Sequence, residues 1–533
     1  MLDLPPPPAF GFPTHFATWR QDQLRAIQLI TEPREGARAT ALTMSTGSGK
    51  SLVNIAGAVL YGGLPSSMLD RPSRVGVLTS TKALEDQYYH DFNELGLVDV
   101  RGMNSYPCLQ PFDLSDPVQC DEGPCRYGHK CGKREGGCLY YDAVKSALQS
   151  RLLVTNYAYW LSSYNYGQGL GHFDMLVMDE AHDTPDELGK FLSVTISEHD
   201  RQIIGSKGPT GSEPGIWGEW AKTWYGNVAA RLERQPSSSS RHERNHHRGL
   251  RRVLSILDRL RRMNALDWVA DTSSHFGDIT FDVIDPSQYK ELLFRGIPRL
   301  VLTSATLRPK TLSLLGLSST ETESWECPSR FPVERRPILH LTGDVIKVRV
   351  DAKMSDGMKR VWVGNIDQII EQYLHHKGII HTVSYARAKE IFAMSKWKEF
   401  MITHDSSSTL KAVAEFRKRP APAILVSPSV MTGWDFPEDD CRWQIIAKIP
   451  MPDSRVPVVK ARQDRDPEYG PYLAMRSLVQ ASGRGMRSST DWCVTFITDD
   501  HASWFVQKYR HLAPNWFHRA LRHVNQLPPT IEF

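Results

Sequence analysis

No stretch of this 533-residue chain approaches the ~20 consecutive apolar residues that a membrane-spanning helix needs. The opening residues, MLDLPPPPAFGFP, lack the basic-then-apolar layout of a signal peptide. No internal repeat of fixed period is present, so a repeat architecture is not expected. There is little excess of charge: the formal net charge is +4, and a nucleic-acid role can be argued only from where the charge lies. Cysteine is scarce, eight residues in all. These absences point to a protein that works inside the cell, in the cytoplasm and without a membrane. Thiols stay reduced there, so clustered cysteines read as metal ligands rather than disulfides.

What is present is an ordinary globular composition, 41% apolar and 23% charged, with length enough for roughly three or four domains. Continuous apolar runs alternate with helical patterns. Ala39–Met44, Val75–Ser80, Leu152–Thr155, Phe173–Met178 and Arg299–Thr303 form one series. A second comprises Gly378–Val383, Ala423–Val426, Gln444–Ile449 and Trp492–Ile497. Such alternation predicts α/β units with parallel sheets and ligands at the strand C-termini. The first ten residues, with four consecutive prolines, read as an extended lead-in, followed by a helix through WRQDQLRAIQLI. Between about 190 and 295 the strand pattern breaks into helical stretches, with Trp217, Trp220 and Trp224 close together. Ser237–Ser240 and the RHERNHHRG that follows predict a loop tip, and its histidines are not read as a metal site. From 231 to 262, ten arginines face three acidic residues, which suggests a phosphate-facing surface or else a solvated basic face. Cys327, Cys441 and Cys493 read as small core residues. Trp434 could stack a base or pack between strands.

Five motifs carry chemistry. Thr46-Gly47-Ser48-Gly49-Lys50-Ser51 lies between a strand and a helix. Its glycines let backbone N–H groups approach phosphates, Lys50 supplies charge and the Ser51 hydroxyl can hold Mg²⁺. Met44 occupies the place where such loops usually begin with Gly or Ala. Asp179-Glu180-Ala181-His182 closes an apolar strand, where Asp179 can hold Mg²⁺ through water and Glu180 can orient the attacking water. Ser304-Ala305-Thr306 ends another strand. In Gln480-Ala-Ser-Gly-Arg484-Gly-Met-Arg487 the two arginines fall i, i+3 on one helical face and could reach a γ-phosphate. Finally, Cys108, Cys120, Cys125, Cys131 and Cys138 are spaced too loosely for one CxxC…CxxC ribbon. Their setting is too polar for a core, and thiolates suit iron–sulfur clusters and zinc alike. Four ligands complete either centre, leaving one cysteine spare. Arg126, Lys130, Lys133 and Arg134 make this lobe basic, as contact with a DNA backbone would require.

In this order the motifs resemble those of superfamily 2 helicases, and in detail those of the XPD/DinG group of iron–sulfur DNA helicases. Arg20 and Gln23 are similar to the group's adenine-contacting Q-type motif, Thr79–Gln87 to motif Ia, and Thr155-Asn156-Tyr157 to the turn before the acidic box. Ser427–Asp435, with Gly433, resembles motif V, and Gln480–Arg487 resembles motif VI. Only residues ~190–295 lie outside the resemblance. Arg101–Cys108 resembles the segment carrying the first cluster ligand and Cys138–Ala143 the one carrying the last, although Leu139 stands where Pro is usual.

The resemblance implies two RecA-like parallel-sheet motor domains, with an iron–sulfur lobe and a mainly helical Arch-like insertion in the first. Motor domain 1 would comprise 1–104, 141–190 and 296–332, the lobe 105–140, the insertion 191–295 and motor domain 2 residues 333–533. ATP and Mg²⁺ would engage the glycine loop, Arg20, Gln23, Asp179, Glu180, His182, Gly433, Asp435, Gln480, Arg484 and Arg487. A [4Fe-4S] cluster would sit on Cys108, Cys125, Cys131 and Cys138, with Cys120 as substitute and zinc as the alternative metal. The implied activity is ATP-driven 5′→3′ translocation on single-stranded DNA and unwinding of forked duplexes, by a monomer in a bacterial or viral-host cytosol at the nucleoid. Two alternatives remain: a translocase that strips bound proteins without unwinding, and an ATP-switched accessory subunit with structural zinc.

Overall fold

Apolar runs become strands because a strand covered on both faces tolerates no polar alternation. In a computed structural model the first series supplies β1 (Ala39–Thr43), β2 (Val75–Thr79), β3 (Leu97–Asp99), β4 (Leu152–Asn156) and β5 (Met175–Asp179). After β6 (Val194–Ile196), β7 (Trp268–Asp271) and β8 (Ile279–Val283), the series resumes with β9 (Arg299–Ser304) and β10 (Thr322–Glu326). The structure describes all residues except 1–2, 46, 65, 67–70, 114, 116, 235–239, 264–265, 275, 330, 343–347, 352 and 484–489, and the side chain of 241. The first sheet has the order β10-β1-β9-β5-β2-β4-β3. Every residue of β2, β5 and β9 is buried, and β2–β4, β2–β5 and β5–β9 pair in parallel.

The second series yields β11 (Ile338–Leu341), β12 (Gly378–His381), β13 (Met401–Ile402), β14 (Ile424–Ser427), β15 (Trp443–Ile446), β16 (Val494–Ile497) and β17 (Leu521–Val524). They form a second seven-stranded sheet, β13-β14-β12-β15-β16-β11-β17, parallel throughout. Both α/β units expected from the alternation are therefore present. By contacts the chain divides into one unit of residues 1–42, 51–325 and 454–465 and another of 43–50, 326–453 and 466–533. Among the described residues no helix is long and apolar enough to cross a membrane.

The region near 190–295 is mainly helical, as expected, with helices Pro214–Glu233 and Arg241–Leu260. It also holds a small antiparallel sheet, β6-β8-β7, which short, polar-alternating strands had concealed. Trp217 is buried edge-on to Trp220 and against Phe281, 5.2 and 5.7 Å between ring centroids. Two local expectations fail. Pro7–Phe10 forms a turn of 3₁₀ helix, not an extended lead-in; proline's fixed φ suits a first helical turn, and Phe12 beyond it is buried. RHERNHHRG is the first half of helix Arg241–Leu260, because Arg and Glu favour helix and Leu250, Val253, Leu257 and Leu260 anchor the same helix in the core. Ser237–Ser239 lie outside the described residues.

Candidate nucleotide and metal sites

β1 runs directly into the glycine loop, and helix Lys50–Gly62 follows. Gly47 and Gly49 both take left-handed backbone, φ 76° and 82°, which favours residues without a Cβ. Lys50 opens the helix, so the residues before it lead to a helix N-terminus of the kind that attracts phosphate. Met44, the unusual residue of the loop, is fully buried. Thr46 lies outside the described residues.

The acidic box begins at the C-terminal end of β5, and β9 pairs with β5 so that Thr303 stands opposite Asp179. Asp179 is 2% exposed, which makes its partners decisive, since burying a carboxylate without donors is costly. Tyr88 Oη donates to Asp179 Oδ2 at 2.8 Å and Thr303 Oγ1 donates to Oδ1 at 3.2 Å. Asn54 Nδ2 donates in turn to Tyr88 Oη and Thr303 Oγ1, 2.9 Å each. Tyr88 also hydrogen-bonds the Ser51 side chain, so one phenol touches both residues expected to hold Mg²⁺. Burial, then the Asp179 charge, pushes the Tyr88 phenol well above its ordinary value and keeps it a donor. Tyr157 Oη donates to the Asp179 carbonyl at 3.2 Å and accepts from Thr184 Oγ1 at 2.8 Å.

Glu180 has φ 48°, a left-handed conformation that a non-glycine residue holds only where the surroundings impose it. His182 is buried, with Nδ1 2.7 Å from Ser304 Oγ and 3.2 Å from Glu180 Oε2. The acidic box and the Ser304-Ala305-Thr306 motif are thus joined by one histidine. Sequence reasoning missed Tyr88, Asn54 and Thr303, and named Tyr157 only as part of the turn before the acidic box. Their only signal was position on helix faces or strand ends next to the motifs, where apolar pattern hides a polar tip.

Gln23 is buried at the start of helix Gln21–Thr31 and its side-chain oxygen accepts the Arg20 N–H at 3.0 Å, an N-terminal cap. Asn156 caps the next helix by accepting from Tyr159 N–H at 2.9 Å, while its Nδ2 donates to Glu85 Oε2 at 3.1 Å. Burial raises the Glu85 carboxyl to about 7, against the opposing effects of Asn156 and Arg101.

In the second unit, β14 ends at Ser427, whose Oγ lies 2.7 Å from His404 Nε2. Gly433 takes φ 79°, and the Asp435 carbonyl accepts from Arg417 at 2.6 Å. Half-buried Trp434 packs against the apolar cluster that includes Phe416, Phe436 and Val430. Val383, just past β12, has φ 65°, a strained value for a β-branched residue at a strand C-terminus, and no sequence signal announced it. Gln480 lies on helix Tyr469–Ser482. Arg484 and Arg487 lie outside the described residues.

All five clustered cysteines line one pocket with Gln110, Lys133 and Tyr141. A bridge between Pro107 and Gln119 folds the segment back, with Cys108 N–H donating to Val118 O (2.9 Å) and Cys120 N–H to Tyr106 O (2.8 Å). Cys120 is buried and the other four are half-buried. Burial, then neighbouring Cys138, pushes the Cys120 thiol up to about 12; burial, then the adjacent thiols, raises Cys108 and Cys125. Crowded thiols that resist ionising together are what a multivalent cationic centre relieves, and the donor set fits an iron–sulfur cluster or zinc. The four chosen cysteines and their substitute are brought together.

Around this pocket Arg126, Lys130, Lys133 and Arg134 are exposed. A cavity of about 500 Å³ separates the lobe from helix Arg241–Leu260, lined by Phe112, Asp121, Glu122, Tyr127, Arg244 and Arg248. The arginine-rich segment is less free than its composition suggested. Arg231 and Arg259 donate to the backbone carbonyls of Ile203, Ile204, Phe191 and Ser193. Arg252 pairs with buried Asp200, Arg261 and Arg262 with Asp258, and Arg248 with Glu122, while Arg251 donates to the Arg126 carbonyl at 2.6 Å. Most of this charge holds the insertion together and ties it to the cysteine lobe.

Residues 16–205 match the family described as type III restriction enzyme, res subunit, and residues 369–520 the helicase C-terminal domain family. Among solved structures an XPD helicase is similar at 15% identity and TM-score 0.62, over 95% of this chain and 100% of the other. XPD in its apo form (14%, 0.56) and Xpd4 of S. tokodaii (14%, 0.57) are similar over the same shares of each chain. No curated protein sequence matches. The fold is that of the XPD helicases, and the two family matches fall on the two α/β units.

Proposed function

We propose, taking an XPD/DinG-like superfamily 2 helicase as the premise, that this chain is an ATP-dependent DNA helicase. It would move 5′→3′ along single-stranded DNA and open forked duplexes. Phosphates would be held by the Gly47–Ser51 loop with Lys50, and Mg²⁺ by Ser51 and Asp179. Glu180 would orient the attacking water, and Arg484 and Arg487 would meet the charge that develops on the γ-phosphate. His182, pinned to Ser304, would pass the state of the acidic box to the neighbouring strand end. Cys108, Cys125, Cys131 and Cys138 would carry a [4Fe-4S] cluster that stiffens the lobe flanking the 500 Å³ cavity. With the basic residues 126–134, that lobe would guide or split the DNA.

The observation that carries this reading is that one α/β unit combines the acidic box, buried and hydrogen-bonded at a strand C-terminus, with five convergent thiols. A metal-bearing lobe is of use to a motor that must grip a strand, and a simple nucleotide switch has no need of it. ATP hydrolysis with and without single-stranded DNA tests the motor, and iron and zinc content of anaerobically purified protein tests the lobe. Stimulated hydrolysis with about four irons per chain is expected; a zinc-bearing protein without hydrolysis supports the accessory-subunit reading instead.

A further inference from the structure

His375 and His376 occupy the turn between helix Asp356–Gln372 and β12, outside every motif discussed above. The two rings lie 4.2 Å apart between centroids, and both point Nε2 at a single carboxylate oxygen, Glu532 Oε1, at 2.6 and 3.2 Å. The three ligating atoms all lie within 4.8 Å of one another. Two consecutive residues seldom aim the same ring atom at one point unless something holds them there.

Here the holding is visible. His376 N–H donates to Tyr373 O at 2.9 Å, the His376 carbonyl accepts from Trp443 Nε1 at 3.4 Å, and its ring stands edge-on to Trp492 at 5.3 Å. On the other side, Ile531 N–H donates to Tyr373 Oη at 2.8 Å, and Gln372 Nε2 donates to Pro528 O at 2.6 Å. Both arms of the cluster are thus fixed through Tyr373, on the core of the second α/β unit, so little ordering entropy remains to be lost on binding an ion.

We propose that His375, His376 and Glu532 form a binding site for a divalent transition-metal ion of the Zn²⁺, Ni²⁺ or Co²⁺ class, which fastens the 528–533 segment to the 373–377 turn. Two imidazoles and one carboxylate suit this class and not Mg²⁺ or Ca²⁺, which take all-oxygen sites. Two imidazole nitrogens and a carboxylate oxygen within 4.8 Å of one another are a ligand set that one such cation can share. The remaining coordination positions would be water, which makes the site a clip and not a closed structural centre.

The test uses full-length protein without an affinity tag, metal-stripped at sites accessible to chelator, titrated with Co²⁺ and followed by visible spectroscopy and calorimetry. Ligands that are nitrogen and oxygen give weak d–d bands without the intense thiolate charge-transfer absorption that the cysteine pocket would produce, so the two sites are separable in one spectrum. One equivalent of Co²⁺ with the nitrogen/oxygen signature is expected, with affinity reduced about tenfold or more in His375→Ala and in Glu532→Gln. Both substitutions are at exposed positions, so folding should survive them. Co²⁺ should also raise the melting temperature of the unmodified chain but of neither variant. Absence of the nitrogen/oxygen signature, or the same affinity in both variants, overturns the proposal. Destabilisation of both variants without any Co²⁺ dependence overturns it in favour of a proton-bridged latch.

Discussion

Replacing Tyr88 by Phe removes one oxygen atom from a fully buried site and leaves the ring in place. That oxygen donates to Asp179 Oδ2 at 2.8 Å and accepts from Asn54 Nδ2 at 2.9 Å. A hydrogen bond to a charged acceptor contributes about 1.5–3 kcal/mol. Asn54 keeps its contact with Thr303 at 2.9 Å, so its own loss is small. A stability decrease of roughly 2–3 kcal/mol is therefore expected in denaturant unfolding. The larger consequence concerns Mg²⁺. Partners that orient a metal-holding carboxylate typically alter metal affinity by about 10–100-fold when removed. If Asp179 holds Mg²⁺ as proposed, the half-saturating Mg²⁺ concentration for ATP hydrolysis rises by about that factor, while half-saturating ATP at high Mg²⁺ changes little. Tyr88→Phe with lowered stability but unchanged Mg²⁺ dependence would refute the positioning argument and leave the phenol a packing residue.

Other perturbations are as specific. Glu85 has its folded-state pKa raised to about 7 from 4.5. Between those values the folded state binds the proton more tightly than the unfolded chain, so this group's stabilisation is full below about 4.5 and lost as pH rises to about 7. The change is on the order of 3 kcal/mol, and Glu85→Gln should flatten it in unfolding measured across that range. Cys138→Ser should strip most iron from anaerobically purified protein, whereas Cys120→Ser should keep most of it, as read by iron content and visible absorption. Gly378 faces the Trp443 ring so closely that a Cβ there would collide with it; Gly378→Ala should cost about 1–3 kcal/mol or more in unfolding.

Strands buried on both faces were legible because they must be continuously apolar: β2, β5 and β9 are the clearest cases. Edge and short strands were not. β17, Leu-Arg-His-Val, has exposed central residues, and β13 has only two residues, too few for any periodicity to show. The RHERNHHRG segment misled because polarity was taken for mobility, whereas Arg248 pairs with Glu122 and Arg244 lies over Phe112, both in the cysteine lobe. At the site, the glycine loop, the acidic box, Ser304 and the five cysteines were visible because phosphate, metal and thiolate chemistry demand those residue types. Tyr88 and Asn54 were invisible because their chemistry exists only once helix Lys82–Phe92 and helix Lys50–Gly62 are brought against β5 and β9. Val383 is similar: its strain is a property of the folded backbone alone.

The measurement closest to the central claim is strand separation by anaerobically purified protein on duplexes carrying a 5′ or a 3′ single-stranded tail, with Lys50→Ala as control. ATP-dependent unwinding of the 5′-tailed duplex, absent from the 3′-tailed one and abolished in the variant, is the predicted result. Hydrolysis stimulated by single strands with neither duplex opened would contradict it, and would make the chain a translocase.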